Sequence, residues 1–179
     1  MSNLKTGITL NRAKTSSSAV FDSSDPTKLL TSYSTLSDED WKQRGLSEVA
    51  LDVTRHRGTE DPHTSKLWKE DESGVYHCVC CDAPLFRSED KFISECGWPA
   101  FNVDSFQNMV EIEDLREMPR YMIEIVCKVC GAHLGHKFDD AKLHNPDVEG
   151  DTRYCINGVA LQFLNKTSQK QKAEEQVYQ

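Results

Sequence analysis

The 179-residue chain has no apolar run near the roughly 18 residues that a membrane-spanning helix requires. Its N-terminus lacks the continuous apolar stretch of a secretory signal. It also lacks a cationic excess: 21 Lys and Arg against 29 Asp and Glu leave a formal charge of −8, with no basic field to hold a polyanion. Membrane and nucleic acid are therefore excluded as expected partners, and cytoplasmic placement is the expectation. What the chain does have is an odd set of seven cysteines. In a reducing compartment such a set points to metal binding or redox chemistry rather than a disulfide framework.

The length suits one domain with polar ends. Residues 1–35 carry no apolar period and read as a disordered leader. Lys5, Arg12 and Lys14 among serines, with no acid before Asp22, give that leader a weak transit-peptide pattern, so the alternative location is mitochondrial. The fold is expected from residue 36 to 166. Ser37 with Asp40 resembles a capping box ahead of a short helix bearing Trp41, and "LSEVALDVTRHRG" predicts a second helix closed by Gly58. Beyond residue 74 the texture turns to β. The runs 75–79, 109–113, 122–129 and 159–164 favour strands, and "YMIEIVCKV" alternates so that Ile123 and Ile125 face one way and Glu124 the other. The polar residues 167–179 predict a frayed tail. The whole reads as a small, mainly β domain with short N-terminal helices on one side.

Cys78 with Cys81 and Cys127 with Cys130 form two C-x-x-C clips, each able to present two thiolates to one tetrahedral ion. The 45 residues between the clips (82–126) exceed a zinc-ribbon spacer, so a zinc ion here joins distant hairpins as a structural staple with no open coordination position. Cys80 completes no further clip and reads as a buried bystander.

The segments "GVYHCVCCDAPLF", "CGWPAF", "CKVCGAHLGHKFDD" and "RYCINGVALQF", in this order, resemble the B-type methionine sulfoxide reductases over residues 37–165. That resemblance implies a β fold of two antiparallel sheets, a four-cysteine zinc, and reduction of methionine R-sulfoxide by a thiol. It maps the nucleophile onto Cys155, a resolving thiol onto Cys96, and the substrate pocket onto Trp98, His133, His136, Asp140, Arg153 and Asn157. Thioredoxin is the implied reductant, oxidised proteins the implied substrates, and a monomer the expected state.

Thiol reduction of a sulfoxide needs a nucleophile, an acid for the oxide, and a place for the methyl. Cys155 serves as the nucleophile if Arg153, two residues away on a strand and so on the same face, favours its thiolate; an inert core cysteine is the plain alternative. His136 suits the acid and His133 its support, with Gly135 between them allowing close approach, although either imidazole can equally be structural. Asp140 is placed to orient an imidazole, Asn157 to donate to the oxide or the substrate backbone, and Trp98 to offer an aromatic face to the methyl. An exposed carboxylate, a turn amide and a core indole are the competing readings. The sulfenic acid formed on Cys155 would condense with Cys96. Two departures from the family pattern concern the pocket: Gly158 stands where a serine is usual, removing a hydroxyl and adding backbone freedom, and Lys137 stands where valine is common. The competing functions are a noncatalytic zinc-stabilised peptide-binding module and a dithiol oxidoreductase that uses the clips directly.

Overall fold

In the computed structural model, which describes residues 33–117 and 122–177, two short helices lead into two antiparallel sheets. The leader up to residue 32 lies outside the described residues. Helix α1 (Asp38–Gln43) starts at the expected capping box: Ser37 Oγ accepts from the Asp40 amide, and the Asp40 carboxylate takes the Ser37 amide at 2.8 Å. Helix α2 (Glu48–His56) is capped by Ser47. Trp41, Leu46, Ala50 and Leu51 bury the helices against each other. The left-handed residue that ends α2 is Arg57 (φ 62°), not Gly58. A side chain at φ > 0 costs roughly 1–2 kcal/mol, and here the Arg57 guanidinium is gripped by both oxygens of Glu124.

The smaller sheet has the order β2 (Pro84–Arg87), β1 (Gly74–Cys78), β9 (Leu161–Asn165). The larger runs β3 (Lys91–Phe92), β4 (Ala100–Phe101), β8 (Thr152–Ile156), β7 (His133–Asp139), β6 (Met122–Cys127), β5 (Met109–Asp114). The main core draws on both sheets. Tyr76, Phe86, Phe101, Ile125, Leu134 and Ile156 are fully buried, and the Phe86 and Phe101 rings stack with centroids 4.0 Å apart. Each such side chain contributes roughly 1.5–3 kcal/mol of burial.

The clips sit at the tips of two hairpins, one joining β1 to β2 and the other β6 to β7, so the cysteine quartet ties one sheet to the other. A short helix α3 (Ala141–His144) follows β7. The C-terminal segment differs from the frayed tail expected: β9 passes directly into helix α4 (Lys166–Val177), a run of good helix formers.

Antiparallel pairing brings β5, β6, β7 and β8 together so that Asp114 faces Met122, Glu124 faces His136, His136 faces Cys155, and Phe138 faces Arg153. All seven residues therefore share one face of the sheet, opposite the face that carries Ile125, Tyr154 and Ile156 into the core. Alternation sets Glu124 away from Ile123 and Ile125, on the face that a half-buried strand turns to solvent. The face is instead roofed by the segment after α2, which reaches it through Arg57, and Glu124 is buried at 2 % exposure.

Candidate active site

His133 and His136 are three apart, and a regular strand would send them to opposite faces. The β6–β7 register slips between Ile125 and Val126, where Gly135 pairs with Ile125 but His133 pairs with Val126. The extra residue in β7 is a β-bulge at Leu134, and it returns His133 to the face of His136, with ring centroids 5.4 Å apart. Gly135 serves a different need from the one expected. A Cβ there would lie 2.0 Å from the Cys155 carbonyl oxygen, so glycine permits close approach of β7 to the strand of the nucleophile candidate.

Each imidazole has its own carboxylate. His133 Nδ1 lies 2.7 Å from Glu124 Oε1, and Arg57 binds both oxygens of that carboxylate, Nε on Oε1 at 2.9 Å and Nη2 on Oε2. His136 Nε2 lies 3.0 Å from Asp114 Oδ2, and Arg116 holds Asp114 through Nε and Nη2 at 3.0 and 2.8 Å. Arg116, followed by His136, keeps the Asp114 carboxyl well below the usual range against the opposing effect of burial. Burial, then the neighbouring His136, lowers His133 to about 4, so His133 is neutral at pH 7 and donates from Nδ1 to Glu124. Asp140, expected to orient an imidazole, does not touch His136. It binds Arg153 through both oxygens at 2.7 and 2.8 Å, with His144 at 3.7 Å.

Cys155 and Cys96 meet with sulfurs 3.8 Å apart, although 59 residues separate them in sequence. Arg153 Nη1 lies 3.8 Å from Cys96 Sγ, and Ser94 Oγ 2.8 Å from the same sulfur. The pair shares a proton unevenly. Hydrogen bonding from Cys155, then Ser94 and the Arg153 charge, brings Cys96 down to about 5. The same contact and burial push Cys155 up, outweighing the opposite pull of Arg153, so the cation expected to activate Cys155 bears on both thiols.

A cavity of about 240 Å³ opens over Cys155, lined by Thr59, Trp98, Met122, Gly135, His136, Phe138, Cys155 and Asn157. Trp98, His136, Cys155 and Asn157 thus come together as the sequence suggested, while His133 and Arg153 stand behind the lining. Asn157 is less free than expected: its Oδ1 accepts from the Glu60 amide at 3.0 Å and its Nδ2 donates to the Leu134 carbonyl at 3.0 Å. Gly158 is not a source of looseness either. A Cβ there would fall 2.2 Å from Ser65 Oγ, so the Ser65 hydroxymethyl fills the space of the missing side chain. Lys137 points away from His136 and pairs with Glu111 at 3.0 Å.

Sequence reasoning missed Glu60, Asp114 and Glu124. Glu124 had a signal, an acid inside the apolar run "YMIEIVC"; Asp114 ends a stretch with Glu111 and Glu113 that resembles any solvated acidic strand.

At the sheet junction, the four sulfurs of Cys78, Cys81, Cys127 and Cys130 lie within 4.8 Å of one another, with Cys78–Cys130 at 3.7 Å and Cys81–Cys127 at 3.6 Å. A tetrahedral ion with metal–sulfur bonds near 2.3 Å requires sulfur–sulfur edges of about 3.8 Å. The quartet fits a metal ion.

Residues 46–165 match the SelR domain. The chain is 42 % identical over 141 residues to "Peptide methionine sulfoxide reductase MsrB" of Hahella chejuensis, covering 78 % of this chain and 96 % of that protein. It is 43 % identical over 148 residues to "Methionine-R-sulfoxide reductase B2, mitochondrial" of Rattus norvegicus, covering 78 % and 80 %. With "Peptide methionine sulfoxide reductase B1, chloroplastic" of Arabidopsis thaliana it shares 44 % identity over 139 residues, covering 75 % and 65 %. Among the described residues no helix is long and apolar enough to cross a membrane. A SelR domain over two thirds of the chain, carried on two antiparallel sheets joined by a metal-competent cysteine quartet, makes this chain a member of the B-type methionine sulfoxide reductases, oxidoreductases that return methionine sulfoxide to methionine in protein repair.

Proposed function

We propose that the protein reduces the R-epimer of methionine sulfoxide, chiefly in oxidised proteins, through a sulfenic acid on Cys155 that Cys96 resolves and thioredoxin clears. The observation that carries this reading is the cavity in which Cys155, His136 and Trp98 converge, with Cys96 3.8 Å behind the nucleophile. The substrate's methyl packs on the Trp98 face, where a sulfur gaining positive character is favoured. Cys155 attacks that sulfur, its proton passing along the thiol contact to Cys96, and His136 protonates the oxide. Asp114 holds Nε2, so Nδ1 is the nitrogen left to serve the substrate. Oxygen passes to Cys155 as the sulfoxide gains two electrons and leaves as thioether. Cys96 then displaces water from the sulfenic acid to form the disulfide, which a dithiol protein such as thioredoxin reduces.

Zinc is the ion that a closed set of four thiolates favours, and in Cys78, Cys81, Cys127 and Cys130 it would be structural, holding the two hairpin tips together. Buried and half-buried free thiols suit a reducing cytoplasm, and we assign the protein there, as a monomer.

The test is a stereoresolved assay of peptide methionine R- and S-sulfoxide with dithiothreitol. Wild type is expected to consume the R form and Cys155→Ser neither. Equal turnover by both proteins, or turnover of the S form alone, would refute the assignment.

A further inference from the structure

Glu60 lies in the segment between α2 and β1, 4 % exposed, and plays no part in the chemistry just described. Its carboxylate accepts from the amides of Gly158 and Val159, the first two residues of the 3-10 turn that follows Cys155-Ile156-Asn157. Its own amide donates to Asn157 Oδ1 at 3.0 Å, and its carbonyl accepts from Trp98 Nε1 at 3.1 Å. One residue thus bonds to three parts of the cavity: the indole wall, the buried amide, and the turn below the nucleophile.

The division of labour inside the residue is informative. Trp98 and Asn157 are held by main-chain atoms, which are fixed partners only if the segment around residue 60 is itself fixed. The carboxylate supplies that anchor. Burial raises the Glu60 carboxyl's pKa while the two amides lower it, so an acid is kept in a costly place by the turn it caps. Ser65, from the same segment, fills the space over Gly158, and Thr59 lines the cavity beside Trp98. No sequence separation shorter than 38 residues connects Glu60 to any of these partners other than its own segment.

We propose that Glu60 is a positioning residue for methionine sulfoxide reduction: its buried carboxylate docks the residue 59–65 segment on the turn after Cys155, and the docked main chain then sets Trp98 and Asn157 for the substrate. The inference rests on the reading of the cavity as the substrate site. Glu60 contacts neither the reacting sulfur nor the oxide; it acts through Trp98 and Asn157.

The test compares full-length wild type with Glu60→Ala, Glu60→Asp and Glu60→Gln, using a peptide methionine R-sulfoxide with dithiothreitol, and follows Trp98 by fluorine NMR of 5-fluorotryptophan-labelled protein. The Trp98 resonance is identified by its loss in Trp98→Phe. Glu60→Ala is expected to shift or broaden that resonance and to lower kcat/KM about 10- to 100-fold, with the rise in KM dominant, while alkylation of Cys96 keeps its wild-type rate. Glu60→Asp, which withdraws the carboxylate by one methylene, should do the same more mildly, and Glu60→Gln, which keeps an acceptor for Gly158, should stay within about fivefold of wild type. Wild-type KM together with an unmoved Trp98 resonance in Glu60→Ala overturns the proposal; if that variant does not fold, the same result in Glu60→Asp overturns it. A wild type inactive on the R-sulfoxide removes the reading of the site, while the Trp98 resonance still reports whether Glu60 sets the indole.

Discussion

His136 and Cys155 are direct cross-strand partners on β7 and β8. Opposed residues in an antiparallel ladder carry their Cβ atoms about 4.5–5.5 Å apart on one face, so the pairing register alone sets the imidazole beside the thiol. A slip of β7 by one residue would turn His136 into the core and leave Cys155 without it.

Gly135→Ala tests that register. The added methyl would strike the Cys155 carbonyl oxygen, which belongs to backbone and cannot swing aside. Expected are a loss of about 3 kcal/mol in urea unfolding and a fall in kcat of at least tenfold. Wild-type values for both would mean that β7 and β8 do not approach as described.

The Asp114–His136 bond predicts a defect confined to proton delivery. Asp114→Asn, similar in shape but uncharged, should lower kcat about 10- to 100-fold and alter its pH profile. In a His136→Gln background the same change should have little further effect. Additive losses in the double variant would separate the two residues.

The thiol pair predicts where negative charge resides before substrate arrives. Alkylation of Cys96 by iodoacetamide, followed by mass spectrometry, should rise through a midpoint near pH 5 and stay level to pH 8. In Cys96→Ser, Cys155 loses the neighbour that holds its proton and should react at lower pH than in wild type. That variant should also turn over with dithiothreitol but stall with thioredoxin.

His133 makes stability depend on acid. Its folded-state pKa of about 4 lies below the ordinary histidine value of 6.5, so between those values the unfolded chain binds the proton and the folded chain does not. Stability from this group is complete above pH 6.5 and is lost as pH falls toward 4, by at most about 3 kcal/mol. Urea unfolding of wild type and His133→Gln at pH 7 and 4.5 should show the smaller decline in the variant.

Metal analysis should find about one zinc per chain, and its removal by a strong chelator should lower Tm by roughly 10 °C or more, because the ion spans the two sheets. Cys127→Ser should reproduce the loss of metal, whereas Cys155→Ser should retain it.

Much of this protein is local in origin and was legible as sequence. Capping chemistry at Ser37 and Ser47 starts the helices, alternation marks the longer strands, and C-x-x-C spacing picks out the metal quartet because two thiolates of one turn reach one ion whatever surrounds them. The tail was misread because its polar composition gave no burial signal, yet helix propensity and continuity with β9 sufficed for α4.

Relations across the sheet were decided only in three dimensions. A spacing of three does not place His133 beside His136; the bulge at Leu134 does, and a bulge is a property of two paired strands. Glu124 and Asp114 resemble surface acids until Arg57 arrives from the segment after α2 and Arg116 folds back from two residues on to compensate their burial. Asp140 was expected to orient an imidazole and Asn157 to donate to the oxide or the substrate backbone, and only the fold brings Arg153 to the one and Glu60 and Leu134 to the other. The sequence by itself determined that four thiolates can be presented to one ion, and its motifs carried, through their family resemblance, the expectation of sulfoxide reduction. Tertiary packing decided which acids face which histidines, that Cys96 meets Cys155, and that Glu60 bonds to Trp98, Asn157 and the turn after them, because each depends on distances between segments that sequence spacing does not encode.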